Sequence, residues 1–322
     1  MFQEILLQKI KEGLAERDSL NSEIATALDI SYDAAHRRTS LKSKFTLEES
    51  VLLARYFNLS LDSLFGMSKK NFVSVQKTKQ ITNEKELQYY FESSYQSLLP
   101  LLNVDKSEVY YSAKDIPIFY TLTSSVLSSF KFYVWLKLLD KSFRNKSFDS
   151  YHPSLSTLQS AKRLGDLYRD LSITEIWDTT TINSTLKQIH FYYKAGQLSG
   201  ETAIKICKDL KQLLNDISLK VVSKKKSFKL YYNELLLMNN NVLVTTPKQQ
   251  KLFVPSSMLS YFSTSDKQTC LEAKKYFNKQ LYHSKLLNTA GEKEQNVFYY
   301  KMMEKVNALQ KLIEAENVLD FE

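Results

Sequence analysis

Between Ser31 and Lys44 the chain gathers side chains suited to hydrogen bonding with base edges and phosphates. Arg37 can donate two parallel bonds to guanine O6 and N7, Asp33 can accept from cytosine N4, and Tyr32 can touch a thymine methyl or a phosphate. His36 can donate to a purine N7. Arg38, Lys42 and Lys44 suit phosphates, contacts that fix register without reading sequence. Each residue also has a plainer use. Asp33 in a first helical turn is favoured by the helix dipole, and a run of cations often makes a solvated face.

These side chains need a rigid carrier, and Asn21–Thr39 (NSEIATALDISYDAAHRRT) has the spacing of a helix-turn-helix. A first helix starting at Asn21 or Ser22 runs through Ile24, Ala25 and Leu28. Asp29 marks a sharp turn, Ile30 plugs the gap between helices, and Ser31 caps a second helix. Before it, Phe2, Ile5, Leu6, Ile10 and Leu14 form a helical stripe. After it, Thr46-Leu-Glu-Glu49 is a capping box opening a helix through Val51, Leu52, Leu53, Tyr56 and Phe57. Asn58 is a C-terminal stop, Ser60–Phe65 closes the unit and Gly66 ends it.

On these motifs, Phe2–Gly66 resembles the lambda-repressor-like, or Cro/Xre-type, helix-turn-helix domain. The stretches DISYDAAHRRTS and TLEESVLLARYFNLSLDSLF, together with DIPIF and FKFYVW further on, are similar to a narrower group of two-part regulators of Bacteroidota-type bacteria. The resemblance implies that Ser31, Tyr32, Asp33, His36, Arg37 and Ser40 face DNA bases. Two positions depart from the pattern. Asp29 stands where the family has glycine, tolerable because Asp visits positive φ more readily than most residues. Arg38 stands where an apolar residue is usual.

The formal net charge of +9 favours a polyanionic partner. Within 1–66, however, eight Lys and Arg face ten Asp and Glu, a formal −2, so binding there depends on the local cluster Arg37–Lys44. Lys69 and Lys70, with Lys77 and Lys79, follow in a basic linker over 67–82 that either tracks the phosphate backbone, with Lys69 and Lys70 as further phosphate candidates, or serves only as a solvated connector. At 322 residues the chain has room for about two to three domains. Cys207 and Cys270 are far apart and form neither a disulfide framework nor a metal knuckle. The start MFQEILLQKIKEG lacks a signal peptide's apolar core, and a cytoplasmic protein is expected. Ile116–Leu139 is long enough to span a bilayer, but Lys131 and Lys137 interrupt it. A buried helix of a soluble domain is the preferred reading.

Residues 83–322 read as a mostly helical assembly or sensing region. Helices are expected over Asn83–Leu102, from Pro117 onward, and over Leu155–Leu171, Thr180–Ala195, Glu201–Lys220, Thr264–His283 and Glu292–Ala315. Glu108–Ser112 is a short extended piece. Ser227–Leu235 and Asn241–Thr246 read as a hairpin turning at Asn239-Asn-Asn241, with Lys251–Pro255 as a third strand. The expected fold is therefore mainly α: an N-terminal five-helix domain followed by a larger mostly helical α+β domain carrying a small antiparallel sheet at 227–255.

Enzyme signatures are missing. With 6 glycines there is no phosphate-cradling loop. His152, His190 and His283 have no nucleophile motif around them, and Cys207 sits in a helical apolar rhythm. No metal site and no cofactor are expected. The expectation is a cytoplasmic transcriptional regulator, a homodimer on double-stranded DNA, with its C-terminal region open to a ligand or protein partner. The alternatives are a peptide- or small-molecule-responsive sensor with the same head, and a protein-interaction adaptor that no longer reads DNA.

Overall fold

The computed structural model describes residues 2–15, 18–65, 73–223, 227–235 and 239–318. They fall into two compact units, Met1–Val75 and Gln76–Glu322.

In the first unit the described helices are α1 (Phe2–Gly13), α2 (Leu20–Leu28), α3 (Tyr32–Thr39), α4 (Leu47–Tyr56) and the short α5 (Leu61–Phe65). Leu6, Leu7, Ile10, Ile24, Ala35 and Leu53 form the buried core. The inward stripe of α1 is thus rotated from the expected one: Leu7 is buried, while Ile5 is 40% and Phe2 63% exposed. Phe2 instead packs edge-on against Phe65, with ring centroids 5.3 Å apart. Helix α2 begins at Leu20 behind Ser19, which makes no side-chain cap. Asp29 ends it at φ 51° and ψ 50°, a left-handed conformation that short polar residues tolerate. Thr46 and Glu49 form a reciprocal capping box at the start of α4.

The second unit contains β1 (Gln76–Lys77), α6 (Glu84–Leu98), β2 (Glu108–Ala113), α7 (Val126–Leu139), α8 (Leu155–Asp170), β3 (Ile173–Trp177), α9 (Asn183–Lys194), α10 (Gly200–Val222) and β4 (Phe228–Tyr232). It continues with β5 (Val242–Thr245), β6 (Gln250–Ser257), β7 (Ser260–Thr264), α11 (Lys267–Tyr282), β8 (Lys285–Leu286) and α12 (Glu292–Val318). The strands make one eight-stranded sheet in the order β1-β7-β6-β5-β2-β3-β4-β8. β2, β3 and β4 are parallel, and the remaining pairs are antiparallel.

This sheet corrects the small antiparallel one expected from sequence. β4 and β5 are not partners, because β2 and β3 lie between them, so Asn239-Asn-Asn241 turns no hairpin. It lies on the connection between them, where Asn240 Oδ1 accepts from the Asp115 N–H at 3.0 Å. The tight hairpin is β6–β7, with Leu259 at φ 54°. Strand β3 was absent from the expectations. It is buried at every position, and such strands lack the in-out alternation that betrays a half-exposed one. Gln76–Lys77, expected within the linker, forms the edge strand against β7.

Alternate strand residues face two apolar layers. Val109, Tyr111, Ile173, Trp177 and Phe228 join one large cluster with residues of α6–α10 and α12. Tyr110, Ile176, Leu243 and Leu252 meet Cys270 and Phe277 of α11 on the other face. Pro117 precedes a 3-10 turn, Ile118–Thr121. Helix α7 starts only at Val126, capped by Ser125. Where α8 crosses that turn Gly165 is required, since a Cβ there would stand 2.5 Å from the Leu122 carbonyl oxygen. No described helix is long and apolar enough to cross a membrane.

Candidate nucleic-acid interface

Helix α3 carries the predicted side chains, and its local chemistry holds it in place. Ser31 Oγ accepts from the Ala34 N–H at 3.3 Å, so its hydroxyl is used as the cap. Ala35 is fully buried. Asp33, His36, Arg37 and Ser40, spaced i, i+3, i+4 and i+7, are exposed together. Tyr32 is 53% exposed beside them. Ser40 Oγ turns back, donating to the His36 carbonyl at 2.6 Å, and so closes the helix end.

Sequence reasoning missed the residue that braces this surface. Asn21, expected as a helix cap, lies within α2 and reaches across to α3. Its Nδ2 donates to the Tyr32 hydroxyl at 3.2 Å and approaches His36 Nδ1 at 3.4 Å. Its Oδ1 accepts from Thr39 Oγ1 at 2.5 Å. Three contacts from one amide limit the rotamers open to the outward-facing residues. Nothing in the local sequence signals this, because the partners lie 11 to 18 positions away.

Arg38 does not stand with the phosphate-seeking cations. Its side chain is 21% exposed, with Nη2 2.5 Å from Glu49 Oε1 and Nη1 donating to the Ala34 carbonyl at 3.1 Å. The guanidinium holds the Glu49 carboxyl below the usual carboxylate range, burial opposing it. The arginine at a usually apolar position is therefore matched by the acid of the next helix's capping box. Lys42 and Lys44 are exposed beyond the helix end. The loop carrying them is anchored to α1 by Gln3, whose Nε2 donates to the carbonyls of Arg38 and Ser43 at 2.8 and 2.9 Å and whose Oε1 accepts from the Phe45 N–H at 3.1 Å. Lys69 and Lys70 lie outside the described residues. Among those described, no group of three or more His, Cys, Asp or Glu is arranged to hold a metal ion.

The outer stripe of α3 thus offers one acid, one imidazole and one exposed arginine, with two lysines nearby. Set on this geometry, comparison with protein families matches residues 2–86 to the BetR domain. The match spans α1–α5, continues through β1 and ends in the first turn of α6. No curated protein and no solved structure matches the chain.

Proposed function

We propose that the chain is a sequence-specific DNA-binding transcriptional regulator that reads the major groove through α3. The observation that carries this reading is the exposed stripe Asp33, His36 and Arg37, backed by buried Ala35 and braced by Asn21. Arg37 reads guanine, Asp33 and His36 read neighbouring base edges, and Lys42 and Lys44 neutralise phosphates. Arg38 is left out of that set, since Glu49 already holds it. The similarity of 2–86 to the BetR domain supports a regulatory N-terminal region.

One eight-residue helix offers few base contacts, each worth about 1 to 3 kcal/mol. Two copies held together would present two such helices about 34 Å apart to a pseudo-palindromic site. Catalysis is no part of this reading.

The test is selection of the full chain against random duplexes, with Arg37→Ala alongside at equal salt. Two related half-sites about one helical turn apart, relaxed at defined bases in the variant, are expected. A single half-site would reject the symmetric dimer and keep the reader. No enriched sequence even at low salt would overturn the proposal and leave a protein-interaction adaptor.

A further inference from the structure

Three side chains of α3 converge on the Asn21 amide. Thr39 Oγ1 stands 2.5 Å from one end, and the Tyr32 hydroxyl and His36 Nδ1 stand 3.2 and 3.4 Å from the other. These distances assign the two ends. A separation of 2.5 Å fits an O–H···O bond and is too short for N–H···O, whose range starts at about 2.7 Å. The end facing Thr39 is therefore the oxygen, and the single Thr39 hydroxyl hydrogen points there in preference to the His36 carbonyl at 3.1 Å. The other end is the NH2 group, with two hydrogens to give and no acceptor capacity.

That polarity dictates the state of both outward-facing neighbours. The phenolic oxygen of Tyr32 accepts from Asn21, so its own hydrogen is left for an acceptor outside the protein. His36 Nδ1 faces an N–H and must be the bare nitrogen, which places the proton of the neutral ring on Nε2. The other tautomer would set two N–H groups against each other at 3.4 Å. Nε2 lies across the ring from Asn21, and His36 is exposed. Arg37, the next residue, is exposed and carries donors only. Tyr32, His36 and Arg37 thus all present hydrogens, with Asp33 as the acceptor beside them.

We propose that Asn21 is a positioning residue that fixes Tyr32 and His36 as hydrogen-bond donors toward DNA. The base edge met by His36 is then an acceptor, N7 or O6 of guanine or O4 of thymine, and the N4 amine of cytosine is rejected. This rests on DNA reading by α3 and deepens it by giving the direction of the contacts.

Asn21→Asp is the isosteric test, because a carboxylate accepts at both oxygens and donates from neither. Asn21 is half-buried in the first turn of α2, where the helix dipole favours an acid, so the fold is expected to hold.

The first readout needs no DNA. Nitrogen NMR of the imidazoles is recorded on the full chain at about pH 8, above the ordinary imidazole value of about 6.5, with the His36 signals assigned by their loss in His36→Gln. The unaltered chain should carry the proton on Nε2 and leave Nδ1 bare, whereas in Asn21→Asp Nδ1 should be protonated. A proton on Nδ1 in the unaltered chain, or a bare Nδ1 in the variant, overturns the proposal.

The second readout is duplex selection at equal salt. The base pair read by His36 is the one whose preference relaxes in His36→Gln. There the unaltered chain should enrich an acceptor edge, and Asn21→Asp should lose that enrichment by about fivefold or more while keeping the base read by Arg37. A preference for a cytosine edge in the unaltered chain, or the same preference in both chains, overturns the proposal. Enrichment of no sequence at all is the failure of DNA reading itself, and the imidazole spectra then still decide where Asn21 places the proton.

Discussion

The first unit turns its polar chemistry outward around a small apolar core, whereas the second draws polar and charged groups into its interior. Every buried polar or charged residue among those described, from Ser112 to Thr264, belongs to the second unit. Lys131, Glu175 and Asp178 are the ionisable ones among them. A buried charge is tolerated only with partners that replace water. Among the described residues of the first unit the most deeply engaged ion pair, Arg38–Glu49, keeps part of each side chain in solvent. The contrast teaches where substitutions are felt: inside the second unit they act on stability, and on the exposed face of α3 they change the surface chemistry and leave the core intact.

The sharpest way to break that contrast is Glu175→Ala, which leaves the Tyr120, Tyr168 and Trp177 donors without their acceptor. Orphaned buried donors cost about 1 to 3 kcal/mol each, so a loss of roughly 3 kcal/mol or more is expected in urea unfolding. Both tryptophans, Trp135 and Trp177, lie in the second unit, so their fluorescence reports it selectively. A loss under about 1 kcal/mol would remove the contrast.

Lys131 comes next. Burial pushes its amine down to about 8, with Asp115 pulling the other way, while Thr185 and Gln188 accept from it at 3.3 and 2.8 Å. Between about 8 and its ordinary 10.5 the unfolded chain holds this proton and the folded chain does not. Stability from this group therefore rises with pH across that window. Lys131→Met should abolish the rise, a difference of up to about 3 kcal/mol between the two stability curves. Parallel curves would show that the amine is not held neutral.

The smallest effect sharpens the other side. Thr46→Ala removes one arm of the α4 capping box and should cost about 1 kcal/mol. Hydrogen exchange of α4 amides should then quicken about fivefold, with the tryptophan transition unmoved. A shift of that transition would mean the two units do not unfold separately.

The same contrast explains what could be read from the chain beforehand. Asp29, Ser31 and the Thr46–Glu49 box act within a few positions of themselves, so their roles at helix ends are visible in sequence. Helices α8 and α10 were legible from their apolar period for the same reason. Ile5 and Leu7 were confused because either can continue a helical stripe, and only packing chooses. Arg38 found Glu49, and Asn21 found Tyr32, across turns that spacing does not measure. In the second unit β3 was hidden by burial on both faces, and an asparagine run suits a connecting loop as well as a hairpin. The alignment of β2, β3 and β4 was invisible too, because Val109 pairs with Ile173 and Ile173 with Phe228, partners too far apart in the chain for local spacing to show.

That alignment also sets a timetable for synthesis. Strand β2 pairs with β3 on one side and with β5 on the other, Glu108 facing Thr245. The ribosome must therefore add 137 residues after Glu108 before that partner exists, on the order of ten seconds at cellular elongation rates. For that interval Val109, Tyr110 and Tyr111 wait with open backbone edges, a ready template for the wrong neighbour. The first unit, complete at residue 75, carries no such debt. Poor yield on fast, strong expression, relieved by slower translation or a holding chaperone, is the behaviour this order of assembly predicts.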